Sequence, residues 1–332
     1  MKIAICADLH LGAGDLHQAS EQLSEMLEKS AHCGLLCIAG DIFDSPSIGD
    51  ARTTGAIARV AIEAVSAYPR AILLVGNHDS AGAGSEDALH VFDGMPSVRV
   101  VRQANMVGLT GGHLITCVPW QWGEVAAEQI PFGGNCDLFL GHLRIGGALL
   151  TAKMAYETRA GDFGMSRAVL EQIPAKHVAL GDFHKRQDLT GGRGGYVGAL
   201  RQLNFGDEGN PQGFEILDTD TWTVEWVELG QCPYHRTVEI NPGEEKPRQG
   251  LNERLRVRYL SAPDPDEVRE LEAEGVVVQH VTEREERVAR AEIPPGVMQD
   301  KRELIRLWAA NQNPQVDGER LERMVEVYGE VQ

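Results

Sequence analysis

What most constrains this chain is a pattern that recurs five times: a short apolar run stops at Ala or Gly, and Asp, Asn or His follows at once. Ile3–Ala7 leads into Asp8 and His10, Leu35–Gly40 into Asp41, and Ala71–Gly76 into Asn77 and His78. Leu138–Gly141 leads into His142, and His177–Gly181 into Asp182 and His184. Short uninterrupted apolar runs suit strands buried on both faces. Helical stretches alternate with them: Gln18–Lys29 puts Leu23, Met26 and Leu27 on one side, and Thr53–Ala67 stops at Tyr68-Pro69. Alternation of strand and helix predicts a layered α/β core. In open α/β sheets the carboxyl ends of strands converge on one crevice, so residues scattered over the chain are expected to form one cluster.

Each segment alone has an ordinary reading. Asp41 in GDIFD (40–44) could cap a turn, and GNHD (76–79) could be a turn chosen for its Gly-Asn geometry. All five together, in order and each at a strand end, favour a metal site. Oxygen and nitrogen donors without cysteine point away from structural zinc and toward a pair of divalent ions; manganese suits best, while iron and zinc are also accommodated. Two ions roughly 3.5–4 Å apart need a bridging carboxylate, and Asp41 is the best candidate. Such a pair orients a phosphate and activates water for in-line attack.

Composition narrows the classes further. At 332 residues, 42% hydrophobic and 24% charged, the chain is globular and long enough for about two domains. No apolar run approaches the ~20 residues of a membrane helix, and no signal-type segment follows Met1, so a cytoplasmic protein is expected. Six cysteines, with Cys6 and Cys37 in strand-like runs, read as reduced core residues, and the Cys33/Cys37 spacing lacks the second pair of a zinc site. With a net charge of −18 and no long basic run, either the chain does not touch polyanions or a partner and metal ions do part of that work.

The texture changes after about Cys232. Leu255–Tyr259 alternates like a half-exposed strand, Asp264–Glu274 reads as a charged helix and Val276–Val281 as another strand. Ile293-Pro294-Pro295-Gly296 reads as a linker. Two amphipathic helices follow, striped by Leu304, Ile305, Leu307 and Trp308 and by Leu321, Met324, Val325 and Tyr328. The expected organisation is 1–230, 231–292 and 293–332.

DLH (8–10), GDIFD (40–44), GNHD (76–79), GH (141–142) and GDFH (181–184) resemble the motifs of the calcineurin-like metallophosphoesterases. Within them, ADLHLG (7–12), AGDIFDS (39–45), VGNHDS (75–80) and ALGDFHKRQ (179–187) are similar to the SbcD-type DNA repair exonuclease subunits, as are YVGALRQLNFGDE (196–208) and GFEILD (213–218). The resemblance covers about residues 1–230 and implies a four-layered αββα sandwich, followed by a small α+β capping domain and a helical tail. It implies Asp8, His10, Asp41 and His184 around a first ion, and Asp41, Asn77, His142 and Asp182 around a second. His78 would protonate the leaving oxygen, Asp79 would orient the His78 imidazole, and Asp44 would lie near the substrate phosphate, with turn packing as the alternative for Asp44. The last motif normally reads Gly-His-x-His, and Asp182 stands here at the first His.

The implied activity is manganese-dependent hydrolysis of DNA, 3′-to-5′ exonuclease with endonuclease action, in a complex with an SbcC-like coiled-coil ATPase. The tail would dock that ATPase through Leu304, Trp308, Leu321 and Met324, or else pack on its own domain. A homodimer is implied through Thr53–Ala67 and about Ser85–Met95; the small, apolar stripe Ala56, Ile57, Val60 and Ala61 equally suits a helix covering its own sheet. Lys185, Arg186, Arg193 and Arg201 could contact phosphates or simply be surface groups. The alternatives are a metallophosphoesterase acting on nucleotides, cyclic nucleotides or phosphoproteins, and a non-catalytic scaffold.

Overall fold

The computed structural model describes residues 1–46, 51–82, 86–121, 130, 136–149, 164–230 and 234–280. Its centre is two six-stranded mixed sheets laid face to face. The first contains β1 (Lys2–Cys6), β2 (Leu35–Ile38), β3 (Ala71–Leu74) and β4 (Val98–Val101) in parallel, and its other edge is closed by the antiparallel hairpin of β13 (Gly213–Asp218) and β14 (Thr223–Glu228). The second carries β6 (Leu114–Val118), β7 (Leu138–His142), β10 (His177–Gly181) and β12 (Gly194–Tyr196) in parallel, with β5 (Asn105–Gly108) and β11 (Gln187–Asp188) as antiparallel edges. A two-stranded pair, β8 (Arg144–Ile145) and β9 (Gly164–Met165), stands apart from both.

The period of two in each strand sorts its apolar residues between layers. Ile3, Ile5, Leu35, Cys37, Ile72 and Leu74 meet Ile115, Cys117, Leu138, Leu140 and Ala179 in the core between the sheets. Their neighbours Ala4, Cys6, Leu36, Ile38 and Leu73 face the other way, onto α1 (Leu16–Ser30) and α2 (Ala51–Ser66). Ala19, Leu23, Met26 and Ser30, three or four residues apart, form the buried face of α1. Beneath the second sheet, Phe139, Val178 and Leu180 pack with Leu170 of α3 (Arg167–Gln172) and with Ile173. The result is the four-layered αββα sandwich that the motifs imply. A buried side-chain hydrogen bond crosses between the sheets, with His177 Nε2 2.7 Å from Glu215 Oε2.

Residues 234–280 form a third sheet. The alternation over Leu255–Tyr259 belongs to β16 (Glu253–Tyr259), and the charged helix is α4 (Pro265–Ala273), started by Asp264, whose side chain accepts from the Asp266 N–H, and by Pro265. β17 (Val277–His280) pairs with β16 in parallel. A strand passed over in the sequence, β15 (Tyr234–Ile240), lies parallel on the other side of β16. It shows no clean alternation, since Arg236, Thr237 and Val238 are all half-buried.

Two expectations about helices change. Where a helix is expected over Ser85–Met95, the described residues form only a 3₁₀ turn, Ala88–Phe92. In α2, Ile57 and Ala61 are buried against the helix's own sheet, so that stripe has an intramolecular use and is no argument for pairing. The linker and tail, with Leu304, Trp308, Leu321 and Met324, lie outside the described residues. No helix among the described residues is long and apolar enough to cross a membrane.

Candidate metal centre

Strands that run parallel within their sheets end at one place, and backbone bonds fix how their exits meet. After β1 and β2 the chains are zipped together, with Asp8 N–H on Gly40 O at 3.2 Å, His10 N–H on Asp41 O at 3.0 Å and Leu11 N–H on Ile42 O at 2.9 Å. This sets the Asp8 and His10 side chains beside Asp41. The second sheet approaches across the gap: His142 Nδ1 donates to Ala39 O at 2.7 Å, and Asp182 N–H donates to Asp8 Oδ1 at 3.1 Å.

Two glycines permit this proximity. A Cβ on Gly76 would lie 2.0 Å from Asp41 Oδ1, and one on Gly181 would lie 2.2 Å from Ala39 O. Asp8, His10, Asp41 and Asp182 all have positive φ (53°, 43°, 52° and 99°). Non-glycine residues adopt such angles at a cost of about 1–2 kcal/mol each, and such strain clusters where side chains must be aimed. Here it turns four side chains into one crevice.

That crevice is a cavity of about 340 Å³ lined by Asp41, Asn77, His78, Asp182, His184 and Arg144. Donor atoms of Asp8, Asp41 and His142 lie within 4.8 Å of one another, as do those of His10, Asp41 and His78. Asp41 belongs to both groups. Its Oδ2 is 3.6 Å from His10 Nε2 and its Oδ1 is 3.4 Å from His142 Nε2, while Oδ1 also accepts the His78 N–H at 2.9 Å. Asn77 Oδ1 lies 2.9 Å from His142 Nε2. His184 reaches the cluster edge-on to His10, with ring centroids 5.1 Å apart.

The chemistry of these donors fits divalent cations. Asp8 Oδ2 and both ring nitrogens of His10 are buried without a hydrogen-bond partner, which is costly for polar groups unless something positive sits among them. Electrostatics agree. Burial raises the Asp8 carboxyl, as it does that of Asp182. Burial would also raise Asp41, but His142 overrides it and holds Asp41 well below the usual range. Burial pushes the imidazoles down, yet Asp41 lifts His142 to about 10, and the bond to Asp207 lifts His184 to about 9. Without a cation, protons on these rings balance the buried carboxylates.

Not every expected role survives. Asp79 is fully buried, but its Oδ1 accepts the Phe43 N–H at 2.9 Å and its Oδ2 the Gly76 N–H at 2.8 Å. It ties two site loops together, and the partner of His78 Nδ1 is instead the Asp44 carbonyl at 2.9 Å. The Asp44 carboxylate is 3.5 Å from His10 Nδ1. Arg201 is buried, donating to Asp15 and to His10 O, so it braces the first loop. Arg193 holds the carbonyls of Glu171, Ile173 and Ala175, and Arg186 lies over Trp226.

Two residues escaped the sequence reading. Arg144 Nε pairs with Asp182 Oδ2 at 3.2 Å, its guanidinium lying 5.2 Å from the Trp120 ring centroid. Asp207 lies beside His184 Nδ1, 3.2 Å from each of its oxygens. A lone Arg two residues past a His carries no sequence signal, whereas Asn204-x-x-Asp207 is legible as a capping box, which it also forms.

Paired mixed sheets thus bring a crevice lined with oxygen and nitrogen donors to their strand ends. The family model described as calcineurin-like phosphoesterase matches residues 1–144. The chain is 27% identical over 277 residues to the SbcD component of the SbcCD nuclease of Rhodobacter capsulatus, covering 66% of each chain. It is 25% identical over 173 residues to exonuclease subunit 1 of Enterobacteria phage T4, covering 50% of this chain and 47% of that one. The chain thus spans less than two thirds of either relative's own length. Among solved structures it is similar to an archaeal phosphodiesterase (TM-score 0.37, 12% identity, 69% of this chain and 100% of that one). It is also similar to a protein of Thermus thermophilus (TM-score 0.41, 16% identity, 68% of this chain and 98% of that one).

Proposed function

We propose that this chain is the nuclease subunit of an SbcCD-type DNA repair complex, a cytoplasmic, manganese-dependent enzyme that hydrolyses DNA phosphodiesters as a 3′-to-5′ exonuclease and endonuclease. The observation that carries the metal reading is Asp41 set between His10 and His142, its Oδ2 3.6 Å from His10 Nε2 and its Oδ1 3.4 Å from His142 Nε2, with Asp8 Oδ2 and the His10 ring nitrogens buried without a hydrogen-bond partner. The similarity to two nuclease subunits carries the choice of DNA. In this reading Asp8, His10, Asp41 and His184 hold one ion, and Asp41, Asn77, His142 and Asp182 the other. A bound pair of divalent ions would supply Lewis-acid chemistry, polarising a phosphate and acidifying water.

The chain's own residues do the remainder. Asp41 is held in register by the zipped loops and by the His78 N–H on its Oδ1. His78 is exposed at the cavity with Nδ1–H on the Asp44 carbonyl, so in the imidazolium form its Nε2–H is the proton it would deliver to the leaving 3′ oxygen, the ring returning to the neutral Nδ1–H tautomer. Ala39 O fixes the His142 tautomer, so that Nε2 faces Asp41 and Asn77. Arg144 holds Asp182 Oδ2 and adds a positive charge beside the phosphate site. The 1–230, 231–292 and 293–332 division, the homodimer and tail docking to an SbcC-like ATPase belong to the same proposal.

The test compares manganese-dependent cleavage of linear duplex DNA, single-stranded DNA and bis-p-nitrophenyl phosphate, with and without chelator. Cleavage of DNA that chelation abolishes is the expected result. Turnover of the small diester with DNA left intact would transfer the chain to the nucleotide or phosphoprotein class.

A further inference from the structure

His184 is held from outside the two large sheets. Its Nδ1 faces both oxygens of Asp207 at 3.2 Å, and Asp207 Oδ2 also accepts the N–H groups of Leu203 at 3.0 Å and Asn204 at 3.3 Å. The short turn that carries Asp207, Phe205–Asp207, is gripped on its other side by the third sheet. The Glu208 carboxylate accepts from Thr237 N–H at 2.8 Å and from Thr237 Oγ1 at 2.6 Å. Thr237 Oγ1 in turn accepts from Arg256 Nε at 3.0 Å and Nη2 at 2.8 Å. The Arg256 guanidinium lies 4.4 Å from the Phe205 ring centroid, and the His235 ring packs edge-on to Phe205 at 4.7 Å. Gln202 Oε1 completes the grip by accepting the His235 N–H at 2.7 Å.

A carboxylate behind a ligating imidazole fixes its tautomer, leaves the far nitrogen as the donor and raises its basicity. Asp207 stands in that relation to His184, and the residues flanking Asp207 are tied to β15 and β16 by five polar or ring contacts. The geometry points to Asp207 as a positioning residue for His184, and to β15 and β16 as the clamp that keeps Asp207 in place. The third sheet therefore sets how tightly the His184 side of the centre holds a divalent cation. Anything that shifts that sheet acts on the centre without touching it. This inference rests on the metal reading above.

The experiment is a calorimetric manganese titration of the full chain, wild type against Asp207→Ala, Glu208→Ala and Thr237→Val, with Asp207→Glu as the conservative variant. Thermal melts in chelator confirm that each variant is folded. Asp207→Ala is expected to weaken one class of site by about 10–100-fold and leave the other unchanged. Glu208→Ala and Thr237→Val are expected to weaken the same class by less, and Asp207→Glu to recover part of the loss. Nitrogen NMR of the His184 ring with zinc, a diamagnetic ion, in the centre should show the Nδ1–H form bound through Nε2 depleted in Asp207→Ala, which a merely structural role would not produce. Unchanged affinity in Asp207→Ala overturns the positioning role, and unchanged affinity in both Glu208→Ala and Thr237→Val overturns the clamp. Absence of manganese binding by the wild type would defeat the metal reading itself, a result distinct from either.

Discussion

Gly76→Ala removes no donor atom, yet it is expected to disable the centre. The added Cβ would lie 2.0 Å from Asp41 Oδ1, 2.3 Å from Asp41 N and 2.8 Å from Asp41 Cγ. Non-bonded heavy atoms rest near ~3.5 Å, so Asp41 or the Gly76 backbone must retreat by about 1.5 Å. Neither can do so cheaply, because Asp41 Oδ1 accepts the His78 N–H and Gly76 N–H donates to buried Asp79. Overpacking of this kind costs about 1–3 kcal/mol of stability. Misplacing a reacting group by about 1 Å costs on the order of 10²-fold in rate, and Asp41 is the residue common to both donor groups. The assay is manganese-dependent turnover of bis-p-nitrophenyl phosphate together with a calorimetric metal titration. Gly55→Ala is the control: Gly55 lies inside α2, a Cβ there meets nothing within 4 Å, and Ala should stabilise that helix by about 0.5–1 kcal/mol with turnover unchanged. Wild-type turnover and affinity in Gly76→Ala would refute the reasoning, since a bridging carboxylate held by steric fit cannot tolerate that methyl group.

Other outcomes follow from the same geometry. His78→Ala should keep metal binding and lower turnover by about 10²–10⁴-fold, whereas Asp41→Ala should remove both; equal turnover in His78→Ala and wild type would end the acid role. Cation binding should release protons, because His142 is raised to about 10 and His184 to about 9 in the metal-free centre, so affinity falls as pH falls; titrations in buffers of different ionisation enthalpy count the protons. The sign for stability is opposite to that for affinity. The charge pairing of these raised imidazoles contributes fully below their ordinary pKa of about 6.5 and is lost as pH climbs toward 9 or 10, so chelated protein should melt lower at high pH. Arg144→Ala leaves buried Asp182 with His142 but without its arginine counter-charge, so the chelated protein should melt lower and gain more from manganese than wild type does; an equal gain would show that Arg144 and a cation do not share Asp182.

The donors were legible because strand ends in an α/β sheet converge, and because each apolar run stops at a small residue before its Asp, Asn or His. Nothing local distinguishes Arg201, buried on His10 O and Asp15, from an arginine awaiting a phosphate. Asp79 likewise looked like an orienting partner for its neighbour His78, but a residue's neighbour in sequence is not its neighbour in space, and both its oxygens reach backbone N–H groups. β15 was missed because a strand that packs on both faces near a sheet edge shows no clean alternation.

From its residue order alone this chain determines a layered α/β core and the set of side chains available at its strand ends, since periodicity and chain exits are local properties. Tertiary structure decided which of those side chains share Asp41, which loops Asp79 and Arg201 brace, that Arg144 answers Asp182, and that Asp207 stands behind His184. Each of these relations joins residues whose distance in space is set by how two sheets pack, and sheet packing depends on every buried side chain at once.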